Sequence, residues 1–453
     1  MGRLFGTDGA RGVAVTELTC ETAMQIGRAA AAVLCKGGKK AKVIIGKDTR
    51  VSSDIMEAAL AAGLLSVGAD AVSIGVVPTP AVAYLVGALH ADAGVMISAS
   101  HNSVEFNGIK LFSGDGYKLS DDIQDEIEAL VLDTPEKLTA MQKNGKNVGR
   151  YTHDDKAVDL YIQHLLSTCE SDIGSLRIAV DCANGSASAT AEKLFGAMGL
   201  EKVYLLSCAP DGDNINDNCG STHMDGLVKF VQENHCDLGF AFDGDADRCL
   251  AVDEDGSIVD GDMLIALFSK DMKERGLLKK DTAVVTVMTN IGFKFFAREN
   301  DVNIVTTKVG DRYILEQMLQ SDYNMGGEQS GHIIFKDYAS TGDGQLTAVQ
   351  ALSVIKRTGK SLKELASVMD RFPQVMVKLR IAPEFKEGWK NIERIEQIIE
   401  EKEKALGNEG RVLVRESGTE PLIRVMIEGK QFELINRYAL EIADVIKECT
   451  AAV

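Results

Sequence analysis

The sequence predicts an α/β protein of three related α/β domains with mixed sheets, followed by a smaller C-terminal α+β domain. Short runs rich in Val and Ile alternate with longer segments of helical period, which is typical of strands covered by helices. Three strand-then-loop openings, at residues 42, 176 and 282, resemble one another loosely and favour three related units. After about residue 370 the pattern changes to a strand, a charged helix, a strand pair and a closing helix.

Local patterns predict the individual elements. Residues 42–46 (KVIIG), 94–97 and 238–242 (LGFAF) are predicted strands, and residues 53–67 a helix that ends at a glycine. Residues 71–89 are almost uncharged, but two prolines in their middle argue against a membrane helix. They predict a buried strand, a Pro-Thr-Pro turn and a short helix.

Composition narrows the class of protein. A chain of 453 residues exceeds one hydrophobic core and predicts about three or four domains. The 67 acidic against 49 basic residues give a net charge of −18, which disfavours nucleic acid and anionic membranes as partners. The nine cysteines have irregular spacings that indicate reduced thiols, and the amino end lacks the apolar core of a signal peptide. We expect a cytoplasmic protein.

The most informative local feature is an acidic loop directly after the strand at 238–242: Asp243, Gly244, Asp245, Ala246, Asp247 and Arg248. Carboxylates at alternate positions, with Gly244 to relax the backbone, converge hard oxygen ligands on a divalent cation. A calcium EF-hand loop is the rival, because Glu254 falls at the twelfth position. The sixth position is Arg248, where that loop requires Gly, so the pattern favours magnesium over calcium or a merely solvated acidic turn.

A phosphate site is the natural companion of this loop, because magnesium binds phosphate oxygens together with carboxylates. Residues 94–112 run from an apolar strand through small and polar residues to Lys110. In isolation a serine at such a place is usually a turn residue. Here, however, residues 98–102 (SASHN) resemble the phosphoserine loop of the α-D-phosphohexomutases, and Ser100 matches their phosphorylated serine.

The same family carries the acidic loop seen at 243–248. The resemblance implies Mg²⁺ held by Asp243, Asp245, Asp247 and an oxygen of phosphorylated Ser100. Arg11, in an opening segment at 5–12 that also resembles the family, would face the transferred phosphate.

Two further motifs match the family in order. Residues 327–332 (GEQSGH) resemble its sugar-recognition loop, in which Glu328 and Ser330 would hydrogen-bond ring hydroxyls, with His332 beside them. Residues 415–421 (RESGTEP) resemble the loop that holds the non-reacting phosphate. The predicted phosphate-binding residues there are Arg415, Ser417, Gly418, Thr419 and Arg424. Arginine guanidinium groups, hydroxyls and the backbone N–H groups of a glycine-containing loop can all donate hydrogen bonds to an anion.

The resemblance spans residues 3–428 and implies four domains around a central cleft. These are a phosphoserine domain (1–152), a metal-binding domain (153–252), a sugar-binding domain (253–369) and a C-terminal phosphate-binding domain (370–453). Phosphorylated Ser100 would phosphorylate the 1-hydroxyl of a hexosamine 6-phosphate, and the bisphosphate would turn over and return its 6-phosphate. That reorientation predicts a hinge near 368–375.

Charge neutralisation should do most of the catalytic work, with Arg11, Arg248 and His101 assisting the cation. Lys110 is the first candidate for handling the hydroxyl proton, and His332 is the second. For both, a hydrogen-bonding or phosphate-binding role remains the alternative.

Loop details resemble the glucosamine-phosphate branch of the family: the start FGTDGARG, residues 214–216 with 219–221, and Gln329. The expected partners are therefore a hexosamine phosphate and glucosamine 1,6-bisphosphate, in a reaction that feeds UDP-N-acetylglucosamine synthesis. A mannose- or glucose-phosphate mutase and a non-catalytic phosphosugar-binding protein are the alternatives, and a homodimer is left open. Two departures from the family, Ser103 in place of Pro and Ala10 in place of a larger apolar residue, touch no predicted ligand.

Overall fold

The computed structural model describes residues 3–6, 8–34, 40–169, 173–381, 388–416 and 422–450. The chain divides into two compact units. Unit one is Met1–Met288 with Asp301–Val368, and unit two is Thr289–Asn300 with Met369–Val453. Each is described by itself.

The first sheet of unit one has the strand order β1-β2-β6-β5-β3-β4-β7. Strand β3 pairs in parallel with β4 and β5, and β4 pairs in parallel with β7. Strand β6 is antiparallel to β5. Its elements are β1 (Phe5–Gly6), β2 (Gly9–Val13), α1 (Cys20–Leu34), β3 (Lys42–Lys47), α2 (Val51–Ser66), β4 (Asp70–Val76), α3 (Thr79–Ala88), β5 (Ala93–Ile97), β6 (Phe106–Ser113), α4 (Asp121–Leu132), α5 (Pro135–Ala140) and β7 (Tyr151–His153). The apolar stretch 71–89 therefore forms β4 and α3, as predicted.

The second sheet has the order β12-β11-β10-β8-β9. Strand β8 pairs in parallel with β9 and β10, and β11 is antiparallel to β10. Its elements are α6 (Ala157–Ser167), β8 (Arg177–Asp181), α7 (Ala191–Gly196), β9 (Lys202–Leu206), α8 (Asp225–Glu233), β10 (Leu238–Phe242), β11 (Cys249–Asp253) and β12 (Ile258–Val259).

The third sheet has the order β14-β13-β15-β16. Strand β13 pairs in parallel with β14 and β15, and β16 is antiparallel to β15. The elements of this stretch are α9 (Gly261–Glu274), β13 (Thr282–Thr286), α10 (Gly292–Glu299), β14 (Asn303–Thr307), α11 (Asp311–Ser321), β15 (Met325–Gly327), β16 (Ile333–Phe335), α12 (Gly344–Thr358) and α13 (Leu362–Ala366). Helix α10 groups with unit two.

The three sheets repeat one four-strand arrangement. We call β3–β6 repeat one, β8–β11 repeat two and β13–β16 repeat three. In each, the first strand is central, the second and third pair with it in parallel on opposite sides, and the fourth is antiparallel to the third. The openings at 42, 176 and 282 are the first strands of these repeats, so the predicted relationship and the mixed sheets are confirmed.

Buried strands explain why polar chemistry collects at strand ends. Strands β5 and β10 are buried along their whole length, so polar residues occur only where the strands stop. In an α/β sheet, that carboxyl edge is where ligands bind. Among the described residues, no helix has both the length and the apolar character that crossing a membrane requires.

Unit two is built on an antiparallel sheet in the order β17-β19-β18. Its elements besides α10 are β17 (Gln374–Arg380), α14 (Glu393–Leu406), β18 (Gly410–Glu416), β19 (Leu422–Gly429) and α15 (Phe432–Thr450). One face packs Ile423 and Val425 against Ile442 and Ile446 of α15. The predicted α+β character of this part is confirmed.

The segment before α10 is tied to unit two by a buried asparagine. The Asn290 amide donates to the Phe372 carbonyl (3.0 Å) and to Glu428 (3.3 Å), and its oxygen accepts from the Phe372 amide (3.0 Å). Glu428 also accepts from the Ile291 amide (3.0 Å). These bonds explain why residues 289–300, which lie inside the predicted third domain in sequence, group with the C-terminal residues.

Candidate active site

The three predicted loops of unit one occupy the same place in the three repeats. Ser100 lies between β5 and β6, the acidic loop 243–248 between β10 and β11, and the sugar loop 328–332 between β15 and β16. Each is the connection from the third strand to the antiparallel fourth strand.

Ser100 faces the acidic loop directly. Its Oγ donates to Asp243 Oδ2 at 2.6 Å, and its side chain is buried. Its backbone has a left-handed φ of 53°, which is uncommon for a serine, and its amide donates to Ser98 Oγ at 2.9 Å. The fold thus holds one hydroxyl, in a constrained turn, against a carboxylate that is 143 residues away in sequence.

The three aspartates of the acidic loop form a buried cluster whose ligand atoms all lie within 4.8 Å of one another. Within the described part of the chain, Asp245 Oδ1 and Asp247 Oδ1 have no hydrogen-bond partner. Burial, followed by the charges of Asp247 and Asp245, raises the pKa of Asp243 to about 8. Crowded, buried and incompletely paired carboxylates fit a divalent cation, which would neutralise them.

Glycine is required at position 244 for a different reason from the predicted one. The left-handed backbone is at Ala246 (φ 55°), so the expectation that Gly244 relaxes the backbone was wrong. A Cβ on Gly244 would lie 2.6 Å from the Ser100 carbonyl oxygen and 2.9 Å from Asn216 Nδ2. Gly244 is needed because the Ser100 loop passes too close for a side chain.

Lys110 is surrounded by carboxylates. Its Nζ lies 2.7 Å from Asp245 Oδ2, 2.9 Å from Asp8 Oδ2 and 3.4 Å from Asp247 Oδ2. Although burial lowers the pKa of Lys110, these carboxylates, with Asp245 first, hold it well above its usual value. The amine is therefore a cation that holds its proton tightly, which suits neutralising charge more than transferring a proton.

The other predicted catalytic groups of unit one have different partners: Arg248 contacts the acidic loop, Arg11 contacts Asp8 and His101 contacts Ser100. The Arg248 amide donates to Asp243 Oδ1 (3.2 Å), and its Nε lies 3.9 Å from Asp247 Oδ1. Arg11 donates through Nη2 to Asp8, and its buried Nε has no acceptor among the residues described. His101 Nδ1 lies 3.4 Å from Ser100 Oγ. Burial, then the charges of Arg248 and Arg11, lowers the pKa of His101 to about 4.

The sugar loop is half-buried at Glu328 and Ser330 and buried at His332. Glu328 Oε1 accepts from the Gly310 amide (3.0 Å), and Ser330 Oγ is without a hydrogen-bond partner in the described ranges. His332 Nε2 accepts from the Gly342 amide (3.1 Å), while Nδ1 faces Asp247 Oδ2 at 3.7 Å. Only His332 of this loop reaches the acidic loop through these contacts, and Glu328 and Ser330 retain capacity to bind a ligand.

Unit two carries the predicted phosphate arginines on its sheet. Arg415 of β18 lies directly opposite Arg424 of β19, so the two side chains share a face. Burial and the charge of Arg424 lower the pKa of Arg415, and Arg424 Nε has no hydrogen-bond partner among the described residues. Like charges in register are destabilising by themselves, which favours a bound anion. Ser417, Gly418 and Thr419 lie outside the described residues.

The sequence predicted no role for the residues that hold the Ser100 loop, although 214–216 was one of the features resembling the glucosamine-phosphate branch. Arg50 donates to the carbonyls of Ser103 (2.5 Å), Asn102 (2.7 Å) and Ser100 (3.0 Å). Asn216 Nδ2 donates to the carbonyls of Ser100 (2.9 Å) and Asn102 (3.0 Å). We call Arg50 and Asn216 the carbonyl clamp.

Asp48 orients the clamp. Its Oδ2 accepts from Arg50 Nε (2.9 Å) and from Ser98 Oγ (2.6 Å). The available signal was the polar run Asp48–Arg50 at the carboxyl end of β3, the same edge from which the other site loops emerge.

Comparisons with known proteins agree with this geometry. Four family profiles match the chain in order: phosphoglucomutase/phosphomannomutase alpha/beta/alpha domain I (residues 2–137), domain II (159–256), domain III (260–372) and the C-terminal domain (376–445). Proteins named phosphoglucosamine mutase from Clostridium perfringens and Clostridium botulinum are 52% identical over 447 residues and 49% identical over 448. Each alignment covers 99% of both chains.

Solved structures show the same fold. A phosphoglucomutase/phosphomannomutase family protein from Burkholderia thailandensis has a TM-score of 0.79 at 24% identity, covering 99% of this chain and 98% of its own. N-acetylphosphoglucosamine mutase from Aspergillus fumigatus, solved with GlcNAc-6P and magnesium, has a TM-score of 0.68 at 16% identity, covering 99% and 96%. With the family profiles and the full-length relatives, the resemblance predicted from the motifs is confirmed: the chain belongs to the phosphoglucomutase/phosphomannomutase family of α-D-phosphohexomutases.

Proposed function

We propose that the protein is a phosphoglucosamine mutase that interconverts glucosamine 6-phosphate and glucosamine 1-phosphate through phosphorylated Ser100 and a glucosamine 1,6-bisphosphate intermediate. The observation that carries this proposal is the buried Ser100 Oγ, 2.6 Å from Asp243 of a three-carboxylate cluster. Full-length relatives that are about half identical and bear the same name support the amino-sugar substrate.

Asp243, Asp245 and Asp247, with an oxygen of phosphorylated Ser100, would hold Mg²⁺. Hard oxygen ligands in this number leave room for a phosphate oxygen, which is the coordination that Mg²⁺ prefers. When bound, the cation supplies charge neutralisation to the phosphoryl group being transferred.

The protein's own side chains would do the rest. Arg11 and Arg248, whose buried Nε atoms have no hydrogen-bond acceptor among the described residues, would donate to phosphoryl oxygens. Charged Lys110 suits a phosphate-binding role that neutralises the phosphoryl group, and its handling of the hydroxyl proton stays a prediction. Neutral His101, beside Ser100 Oγ, suits a hydrogen-bonding role there. Glu328 and Ser330 would bind sugar hydroxyls, with His332 orienting the loop.

Arg415 and Arg424, with Ser417, Gly418 and Thr419, would hold the non-reacting phosphate. Exchange of the two phosphates requires release and rebinding, so we propose that unit two moves as a body. A hinge near 368–375 agrees with the unit boundary at residue 368, and the chain also crosses between units at 288–289 and 300–301. The assigned domain roles, a cytoplasmic location and a homodimer stay predictions.

Two measurements test the proposal. Turnover of glucosamine, glucose and mannose 6-phosphates should be compared with magnesium and the matching bisphosphate primer, and peptide mass mapping should locate phosphate. We expect the highest kcat/KM for glucosamine 6-phosphate and phosphate on the peptide carrying Ser100. A preference for mannose or glucose would overturn the substrate, and turnover without phosphate on Ser100 would overturn the mechanism.

A further inference from the structure

Six side chains of unit one close a ring in which carboxylates alternate with basic groups. We call this the charge ring: Asp8, Lys110, Asp247, His332, Asp311 and Lys118. Two of its members, Lys118 and Asp311, belong to none of the predicted motifs.

The lysine half of the ring is tightly bonded. Asp8 Oδ2 lies 2.9 Å from Lys110 Nζ, and Asp8 Oδ1 lies 2.6 Å from Lys118 Nζ. Lys118 Nζ also donates to Asp311 Oδ2. Lys118 therefore bridges two carboxylates that come from different parts of the chain.

The histidine half completes the ring at longer distances. Asp311 Oδ2 lies 3.6 Å from His332 Nε2, and Asp247 Oδ2 lies 3.7 Å from His332 Nδ1. Asp247 Oδ2 lies 3.4 Å from Lys110 Nζ, which returns the ring to its start.

The ring joins all three repeats. Repeat one and its edge supply Asp8 from the β1–β2 turn, Lys110 from β6 and Lys118 beyond it. Repeat two supplies Asp247 of the acidic loop, and repeat three supplies Asp311 at the start of α11 and His332 after the sugar loop. The three loops proposed to carry the reaction are thus linked by charge as well as by sheet topology.

Burial makes these contacts consequential. The Lys118 and Asp311 side chains are only 10% and 14% exposed. Burial opposes both charges, yet the charges of Asp311 and Asp8 raise the pKa of Lys118 and that of Lys118 lowers the pKa of Asp311. Removal of one member leaves a desolvated charge unpaired, so its neighbours must move.

The ring gives Lys110 an anchor outside the acidic loop. Two of the three carboxylates around Lys110 are proposed cation ligands, whereas Asp8 is not. Asp8 is itself held by Lys118 on its other oxygen and by Arg11. The position of Lys110 thus depends on a residue that Lys118 orients.

We propose that Lys118 and Asp311 are positioning residues for phosphoryl transfer, which hold Lys110, by way of Asp8, and His332 in register with the acidic loop. This inference rests on the proposed mutase reaction. Misplacement of a transfer group by a fraction of an ångström costs rate more than substrate affinity.

The test compares Lys118→Met, Lys118→Arg and Lys402→Met with wild type. Lys402 is a matched control, because it also lies between two carboxylates, Glu401 (2.8 Å) and Glu441 (2.5 Å), with a side chain 9% exposed. We expect Lys118→Met to lower kcat by about 10- to 100-fold with KM changed less than about threefold. Lys118→Arg should recover most of kcat, and Lys402→Met should keep it.

Non-catalytic readouts separate positioning from general damage. Lys118→Met should lower the unfolding midpoint more than Lys402→Met does, because Asp8 and Asp311 lose a buried partner, so kcat is compared well below both midpoints. Under those conditions the Ser100 phosphate stoichiometry should be the same in the two variants. In the Lys118→Met/Asp311→Asn double variant, the loss should not exceed that of the worse single variant, since both act on one ring.

Wild-type kcat in Lys118→Met would overturn the positioning role. The role would also be overturned if the kcat losses of Lys118→Met and Asp311→Asn multiplied in the double variant. A third contrary result is a kcat loss in Lys118→Met that follows a lowered unfolding midpoint and that Lys118→Arg does not restore. An inactive wild type would instead defeat the mutase proposal, so the two failures are distinguishable.

Discussion

The three repeats have the same strand order but differ in what their third-to-fourth-strand loops contain. Repeat one places a hydroxyl there, repeat two three carboxylates, and repeat three a Glu–Gln–Ser run. Ser100 and the aspartates are buried, whereas Glu328 and Ser330 are half-buried. The shared backbone decides where the chemistry lies, and the loop sequence decides what it is. We call the two loops proposed to handle the phosphoryl group closed, because Ser100 and the aspartates are buried, and the one proposed to bind the sugar open, because Glu328 and Ser330 are half-buried.

A second difference concerns the helix after the first strand. Helices α2 and α7 stay in unit one with repeats one and two, whereas α10, the equivalent helix of repeat three, belongs to unit two. Sequence repeats and compact units are therefore different divisions of this chain. The third repeat is the one whose first helix groups with unit two.

The sharpest test of the comparison replaces a serine by alanine in each of two equivalent loops. Ser100→Ala should abolish turnover, by at least about 10³-fold, because it removes the phosphoryl carrier. Ser330→Ala should raise KM for glucosamine 6-phosphate by about three- to tenfold, since it removes one hydrogen bond to the sugar. Steady-state kinetics of both variants provides the measurement.

Unfolding curves serve as the control, because Ser100→Ala loses two side-chain hydrogen bonds, to Asp243 and His101, each worth about 1 kcal/mol, and Ser330→Ala loses none among the described residues. Equal kinetic defects in the two variants would contradict the division of roles between repeats one and three.

The closed loop of repeat two should bind its cation in competition with protons. Because the pKa of Asp243 is raised to about 8, the cation-free carboxyl is mostly protonated at pH 7 and must lose its proton to coordinate. We expect Mg²⁺ affinity of dephosphorylated protein to rise about tenfold from pH 6.5 to 7.5 and to level off above about 8. Calorimetry in two buffers of different ionisation enthalpy should detect the released proton near pH 7.

The raised pKa of Asp243 also makes the stability of the folded protein depend on pH. A carboxyl whose folded pKa is raised keeps a proton that the unfolded chain loses, so the contribution of Asp243 to the stability of the metal-free protein falls as pH rises from about 4 to 8. Mg²⁺ should restore it at pH 8. Asp243→Asn should remove the proton release and reduce the pH slope, to which Asp343, with a pKa that burial raises to about 7, also contributes. Proton release that persists in this variant would assign it to another group.

Much of the site could be predicted because its motifs are contiguous. Each strand-end loop carries its own signal: SASHN at Ser100, DGDADR at Asp243 and GEQSGH at Glu328. The alternation of strands and helices likewise predicted the repeats. Contiguity fails for the charge ring, because Lys118 meets Asp8 across 110 residues and Asp311 across 193. A lone lysine or aspartate has no local pattern that identifies its partner.

The feature of the fold that the sequence did not predict is the grouping of residues 289–300 with unit two. Residues 289–300 continue repeat three in chain order, and nothing in GFKFFARE distinguishes α10 from α2 or α7 as a covering helix. What separates it is the set of buried hydrogen bonds from Asn290 to Phe372 and Glu428, across 82 and 138 residues. Such long-range polar contacts depend on the finished packing.

That anchor provides a stability test of the second difference. Asn290→Ala should destabilise unit two by about 2–4 kcal/mol, because it leaves buried backbone groups of Phe372 without their partner. Asn300→Ala, which removes one local bond to the Phe296 carbonyl, should cost about 1 kcal/mol or less. Hydrogen exchange should show faster opening of β17 and β19 in the first variant alone. Unchanged hydrogen exchange in β17 and β19 would mean that Asn290 does not anchor α10 to unit two.

The smallest expected effect concerns the loop of repeat one, where Ser103 stands in place of the proline usual in the family. Ser103 is exposed, and its hydroxyl bonds to Glu105 and lowers the pKa of that carboxyl. Ser103→Pro should stabilise the protein by at most about 1 kcal/mol by restricting the unfolded chain. We expect kcat within about twofold of wild type, because the carbonyl clamp of Arg50 and Asn216 already fixes this turn. A kcat change of tenfold or more would mean that the clamp leaves the loop freedom that the reaction uses, and the closed character assigned to repeat one would then be wrong.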